Sequence, residues 1–220
     1  MAKTQAPYHC DECGWTTLKW AGRCGECQSW GTVVEVAAPT TRSKQVKAVV
    51  TLGEGVARPI TEFSGEDSGH QPTGVGEFDR VLGGGIVPGA VILLSGEPGV
   101  GKSTLLLDVA AKVAAKNKTV LYVSAEESAG QVHLRATRTG GLHERLLLAN
   151  DMDLGVVLGH IQSNKPDLVV IDSVQTLSSG LIDGSAGGVA QVREVAATLI
   201  RVAKETTVPI ILVGHVTKDG

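Results

Sequence analysis

The stretch Ala90-Val91-Ile92-Leu93-Leu94-Ser95-Gly96-Glu97-Pro98-Gly99-Val100-Gly101-Lys102-Ser103-Thr104 decides the fold. It opens on a short apolar run without polar alternation, the pattern of a strand buried on both faces. From Gly96 to Ser103 it matches G-x-x-x-x-G-K-[ST], and a helical pattern rich in Leu and Ala follows. The glycines let successive backbone N–H groups converge on phosphate oxygens at the positive end of that helix. Residues Gly96, Glu97, Pro98, Gly99, Val100, Gly101, Lys102, Ser103 and Thr104 therefore read as an ATP site. Within it Lys102 reaches the β and γ phosphates, and Ser103 offers its hydroxyl to magnesium.

Outward from this motif, further Val/Ile/Leu runs predict strands at 90–95, 119–124, 146–149, 168–172 and 209–214. Helices are predicted at 102–116, 128–139, 153–164 and 189–206. Strand and helix in alternation give an α/β fold with a mostly parallel central sheet flanked by helices. Ligands are then expected at the carboxyl ends of the strands. Residues 74–89, with Gly83-Gly84-Gly85 and Pro88-Gly89, read as turn material leading into the first core strand.

Three strand ends carry chemistry. Asp172 ends the run Leu168-Val169-Val170-Ile171 in the manner of a carboxylate that holds magnesium through water. Ala125-Glu126-Glu127 follows the strand at 119–124, where a carboxylate can orient the attacking water. Glu126 is the first choice and Glu127 the second, since the latter also suits a plain helix N-terminus. His215 follows the last strand, either as a catalytic sensor of the γ phosphate or as an ordinary loop histidine.

The four cysteines stand at Cys10-x2-Cys13 and Cys24-x2-Cys27, and none follows. Two such knuckles complete a tetrahedral shell, so the reading is a structural zinc site that folds its short segment. His9 is a weaker candidate ligand. Gly14 and Gly25 are assigned to tight turns beside the ligands. The expected domains are a zinc ribbon at 1–36, a linker at 37–60 with a possible short strand at 46–52, and an ATPase core at 61–220.

Net charge is −3 over 220 residues, so no global basic field announces a nucleic-acid partner. No apolar run reaches the roughly 18 residues that span a bilayer, which points to a cytoplasmic protein with no membrane partner.

The segments GEPGVGKST, LYVSAEES, LVVIDSVQTL, AQVRE and GHVTKDG, with the ribbon CDECGWTTLKWAGRCGECQSWGT, resemble the bacterial RadA (Sms) family. The resemblance covers the chain apart from the linker. It implies a RecA-like P-loop ATPase core behind a four-cysteine zinc ribbon, with ATP, magnesium and zinc as cofactors. It further implies a DNA repair and recombination motor on single-stranded and branched DNA, working as a ring, a hexamer in the full-length protein. A recombinase or replicative helicase is an implied partner. The family continues past this point into a KNRFG motif and a domain resembling Lon protease. The chain as given is therefore expected to bind nucleotide and to hydrolyse it weakly or not at all.

By the same resemblance the glycine-rich loop 178–188 occupies the place of a first DNA loop, yet it has no Lys or Arg. Arg193 and Lys218 are the candidate DNA contacts. Trp20 and Trp30, with Lys19 and Arg23, read first as packing for the ribbon and second as a stacking platform for single-stranded DNA. An alternative function is an adaptor that docks recombination or replication proteins through the ribbon, with nucleotide as a switch. A P-loop kinase ranks third, because no lid-like arginine cluster is present.

Overall fold

A computed structural model describes residues 8–35, 57, 59–62 and 69–215. The chain divides into two compact units, Met1–Pro59 and Ile60–Gly220. The strand expected at 46–52 lies outside the described residues, as does Lys218.

The first unit contains β1 (Tyr8–Cys10), β2 (Thr16–Thr17) and β3 (Val33–Glu35), paired antiparallel in the order β2-β1-β3. Its small core consists of Cys10, Cys24 and Val33, with Tyr8 and Trp15 against them. So few apolar side chains cannot hold a fold by burial alone, and the cysteine cluster has to supply the rest.

The second unit runs α1 (Gly76–Val81), β4 (Val91–Gly96), α2 (Lys102–Ala115), β5 (Val120–Ser124), α3 (Ala129–Thr139), β6 (Leu146–Ala149), α4 (Leu154–Asn164), β7 (Leu168–Asp172), α5 (Val189–Thr206) and β8 (Ile210–His215). The five strands form one sheet in the order β4-β8-β7-β5-β6, every pairing parallel. Odd and even positions of each central strand feed opposite faces. Leu121, Val123, Val169, Ile171, Ile210 and Leu212 pack with Val157, Ile161, Val195 and Leu199 of α4 and α5. Val120, Tyr122, Leu168, Val170, Ile211 and Val213 pack with Leu106, Leu107, Val109 and Ala110 of α2.

Helix ends account for the small offsets from the predicted bounds. Ser128 stands outside α3 as its cap, accepting from the Gln131 N–H while the Gln131 side chain reaches back to the Ser128 N–H. Asp153 caps α4 in the same way through the N–H groups of Gly155 and Val156. Such caps contribute about 1 kcal/mol each.

Segment 74–89 is more structured than its glycines suggest. Phe78 on α1 is buried in the α2-side core, and Asp79 on the same helix fastens the preceding turn. Its carboxylate accepts from the Thr73 N–H and hydroxyl, both at 2.7 Å, and from the Gly74 N–H at 3.0 Å. Gln71 and Ile86 exchange backbone hydrogen bonds, and a Cβ on Gly85 would lie 2.4 Å from the Gln71 carbonyl, so only glycine fits there.

Burial pushes the Asp79 carboxyl up, but the Thr73 and Gly74 bonds and the nearby Lys116 charge hold it below its ordinary value. A depressed folded value means the contribution is present above pH 4 or so and fades as pH falls through the folded value. Asp79→Asn is therefore expected to lower stability at pH 7 by about 1 kcal/mol and to flatten the acid limb. Urea unfolding at pH 7 and pH 3 checks this; equal losses at both pH values would contradict it.

Candidate functional site

Parallel register brings four strand ends to one edge. Gly96 of β4 stands opposite His215 of β8, and Ser124 of β5 stands opposite Asp172 of β7. All the chemistry read from the core sequence up to His215 leaves the sheet along this edge.

The P-loop links β4 to α2 through Gly99 and Gly101, both in the left-handed region at φ +81° and +95°. Helix α2 has no side-chain cap and no acidic residue in its first turn, so its N–H groups are left for an anion. The Lys102 ammonium is buried and donates to the carbonyls of Gly96 and Glu97, each at 2.8 Å. Ser103 follows it in the first turn of α2.

Asp172 is buried at the tip of β7, and its Oδ2 accepts from the Tyr122 hydroxyl at 2.8 Å. Burial and the neighbouring Asp172 carboxylate both push the Tyr122 hydroxyl up, so it remains a proton donor. The next residue, Ser173, donates to Glu126 Oε1 at 2.5 Å, and His215 Nε2 lies 3.1 Å from the same oxygen. Glu126 and His215, read separately from two strand ends, thus meet. Glu127 turns elsewhere and pairs with Arg135 of α3. Asn150, just past β6, fastens this loop by donating to the carbonyls of Ser124 and Glu127, each at 2.7 Å.

Sequence reasoning missed Tyr122, Ser173 and Asn150 as parts of this edge. Tyr122 had a signal: it is the one aromatic in an otherwise aliphatic strand, and a buried hydroxyl there needs a partner. Loop 178–188 also differs from its glycine-rich appearance. The buried Gln191 side chain accepts from the Ser179 N–H and donates to the carbonyls of Ser179, Ile182 and Gly184. Arg193 is exposed one turn into α5.

In the ribbon, the four cysteine sulfurs lie within 4.8 Å of one another, with Cys10–Cys27 at 3.7 Å and Cys13–Cys24 at 3.5 Å. A zinc ion with bonds of about 2.3 Å holds its sulfurs about 3.8 Å apart, so these four fit it. The Cys10 thiol is lowered to about 6 by its hydrogen bond with Thr32 and by backbone bonds. His9 pairs with Asp11 at 3.0 Å, outside the sulfur cluster. Gly14 takes the left-handed turn expected of it, at φ +74°. Gly25 does not: a Cβ there would lie 2.7 Å from the Trp15 ring, so this glycine makes room for packing.

The packing expected of Trp20 and Trp30 is not found. They are 66% and 76% exposed, and only Trp15 packs on the cysteines. A folded β-ribbon of this size has one interior, and Trp15 fills it. Arg23 lies over the Trp30 ring at 5.6 Å and is held by Gln28.

All three tryptophans lie in the ribbon, so their fluorescence reports on it alone. One zinc per chain is expected by elemental analysis, falling well below one in Cys24→Ser. Chelation should change tryptophan emission while leaving helical circular dichroism in place. Bound zinc unaffected by Cys24→Ser would refute the four-sulfur site.

Residues 77–220 match the AAA domain family, and residues 8–35 match the rubredoxin metal binding domain. The whole chain aligns with the DNA repair protein RadA of Mycolicibacterium smegmatis at 51% identity, covering 48% of that protein. It aligns likewise with the RadA of Mycobacterium tuberculosis H37Rv at 51%, covering 46%, and with that of Aquifex aeolicus at 43%, covering 48%. The chain spans about half the length of these relatives. It belongs to the AAA domain family and is similar over its full length to these RadA proteins, with a four-cysteine zinc ribbon ahead of a five-stranded parallel core.

Proposed function

We propose that this chain is the nucleotide-binding part of a DNA-dependent ATPase of DNA repair and recombination, a RecA-like motor that drives branch migration. The observation that carries the reading is the meeting of Glu126 and His215 on the edge that also holds the P-loop and Asp172. An ATP hydrolase needs a phosphate cradle, a magnesium carboxylate and a water-orienting base together, and the P-loop, Asp172 and Glu126 on one edge support that reading. The names of the relatives support repair as the setting.

In this reading residues 96–104 hold the triphosphate, and Lys102 moves from its two carbonyls to the β and γ oxygens. Ser103 and Asp172 would hold magnesium, which would supply the positive charge that the phosphates need. Both are hard oxygen donors, as that ion requires. Glu126 orients and deprotonates the attacking water through its free oxygen, the other being occupied by Ser173. His215 reads the occupancy of that site through the same carboxylate. The proposed DNA contacts are Arg193 and Lys218, the proposed assembly is a ring, and the proposed compartment is the cytoplasm. Residues 1–36 form the ribbon, 37–60 the linker and 61–220 the core in this scheme.

The exposed Trp20, Trp30 and Leu18 favour a second reading for the ribbon. Surface aromatics beside an arginine are common anchors of protein interfaces. There the ribbon docks a recombinase or replicative helicase, and nucleotide switches the assembly.

Four measurements test these readings. Lys102→Ala should weaken ATP binding by this chain at least about tenfold. In the longer relatives, single-stranded DNA should raise ATP turnover several-fold. The change equivalent to Glu126→Gln should cut turnover by about 10²–10⁴ with binding retained. A flat response to DNA would sink the motor. The adaptor predicts that Trp30→Ala abolishes capture of a recombinase with nucleotide affinity untouched; undiminished capture would rule it out.

A further inference from the structure

Tyr122 is the one Phe, Tyr or Trp in the five core strands, and its ring is fully buried on the α2 side of the sheet. Apolar packing alone does not call for tyrosine there, because phenylalanine fills the same volume and leaves no hydroxyl to satisfy. A buried hydroxyl without a partner costs about 1–3 kcal/mol. The register of the sheet supplies the partner. Tyr122 stands opposite Val170, so Asp172 is the diagonal neighbour two residues on, on the same face. The ring leans along the strands toward their carboxyl ends and donates to Asp172 Oδ2 at 2.8 Å.

We infer that Tyr122 is a positioning residue for magnesium: its hydroxyl fixes one oxygen of Asp172 so that the other is presented to the ion. This rests on the assignment of Asp172 as the magnesium carboxylate. A carboxylate has two equivalent oxygens and a freely turning terminal torsion. With Oδ2 tied down from below, the carboxylate keeps a single orientation at the strand tip. Oδ1 is then the oxygen left for the ion, at the strand tips where Gly96, Ser124 and His215 also end. Tyr122 touches neither nucleotide nor metal. It acts only through Asp172.

The inference also explains why the bond comes from a neighbouring strand. In the proposed reading Lys102 has to leave its present carbonyls to meet phosphate. A donor on β5, in the interior of the sheet, holds still through that exchange.

The test uses this chain, a fluorescent ADP analogue and magnesium chloride, so no turnover is required. In EDTA, the wild type, Tyr122→Phe and Asp172→Asn should bind the analogue within about twofold of one another. Magnesium should tighten binding in the wild type, and Asp172→Asn should abolish that gain. Tyr122→Phe should keep the gain but need three- to tenfold more magnesium for half of it. If Asp172→Asn abolishes the gain and Tyr122→Phe matches the wild type, Tyr122 has no such role while Asp172 keeps its own. If Asp172→Asn leaves the gain intact, the magnesium assignment fails and this inference falls with it. The chain has only two tyrosines, so a Tyr8→Phe background labelled with 3-fluorotyrosine reports residue 122 alone. Its ¹⁹F resonance should move when magnesium joins the ADP-bound chain and stay fixed in Asp172→Asn. That signature also decides the matter if Tyr122→Phe proves unstable, and an unmoved resonance in the labelled Tyr8→Phe chain would overturn the proposal.

Discussion

The parallel pairing of β4 with β8, and of β7 with β5, is the constraint on which the rest depends. Parallel strands in register end together, so their carboxyl tips form a line of loops on one edge. Gly96 beside His215 and Asp172 beside Ser124 are consequences of main-chain hydrogen bonds, not of any attraction between side chains. Those bonds are buried under aliphatic layers on both faces, which makes a slip of register prohibitive. A slip of one residue between β5 and β7 would put Tyr122 and Asp172 on opposite faces of the sheet.

Charge at this edge is handled by local hydrogen bonding. Lys102 and Asp172 are both largely withdrawn from water, and each is satisfied by a different part of the fold: Lys102 by the carbonyls of its own loop, Asp172 by a hydroxyl from the adjacent strand. Glu126 is satisfied from two strand ends, by Ser173 and His215. Lys102 and Asp172 are thus each held by neutral groups, and neither has a fixed counter-ion among the described residues. Glu127 shows the contrast, because its pairing with Arg135 commits it to α3.

Much of the core was legible because its strands are uninterrupted aliphatic runs and its P-loop carries a spacing that few other structures need. Asp172 and Glu126 stood out as candidates because Asp172 ends one such run and Glu126 lies just past another. What escaped the sequence depends on diagonal and cross-strand neighbours. Neither Tyr122 nor Ser173 reveals its partner until strand order is known, and β8 lies between β4 and β7. Helix α1 escaped for a different reason: it is one and a half turns long and flanked by glycines, and its place is set by Phe78 burial and the Asp79 bonds. The exposure of Trp20 and Trp30 was misjudged because composition says that a small ribbon wants aromatic filler, but not how much room it has. Trp15 and the cysteines fill it.

The loop after β7 shows how these pieces join. It starts at Ser173, which bonds Glu126, and runs through Gln175, whose amide donates to the His215 carbonyl at 3.2 Å. It continues to the stretch that Gln191 holds by three carbonyls, and then enters α5, which returns along the sheet to β8 and His215. Both ends of this segment therefore close on the same carboxylate. Any ligand that displaced the loop from Gln191 would pull on a chain anchored at each end to Glu126. With no Lys or Arg in 178–188, the loop offers such a ligand only backbone groups and shape, so its grip on a polyanion must come from the flanking positions. Arg193, exposed on α5 two residues beyond Gln191, is the position proposed for that contact.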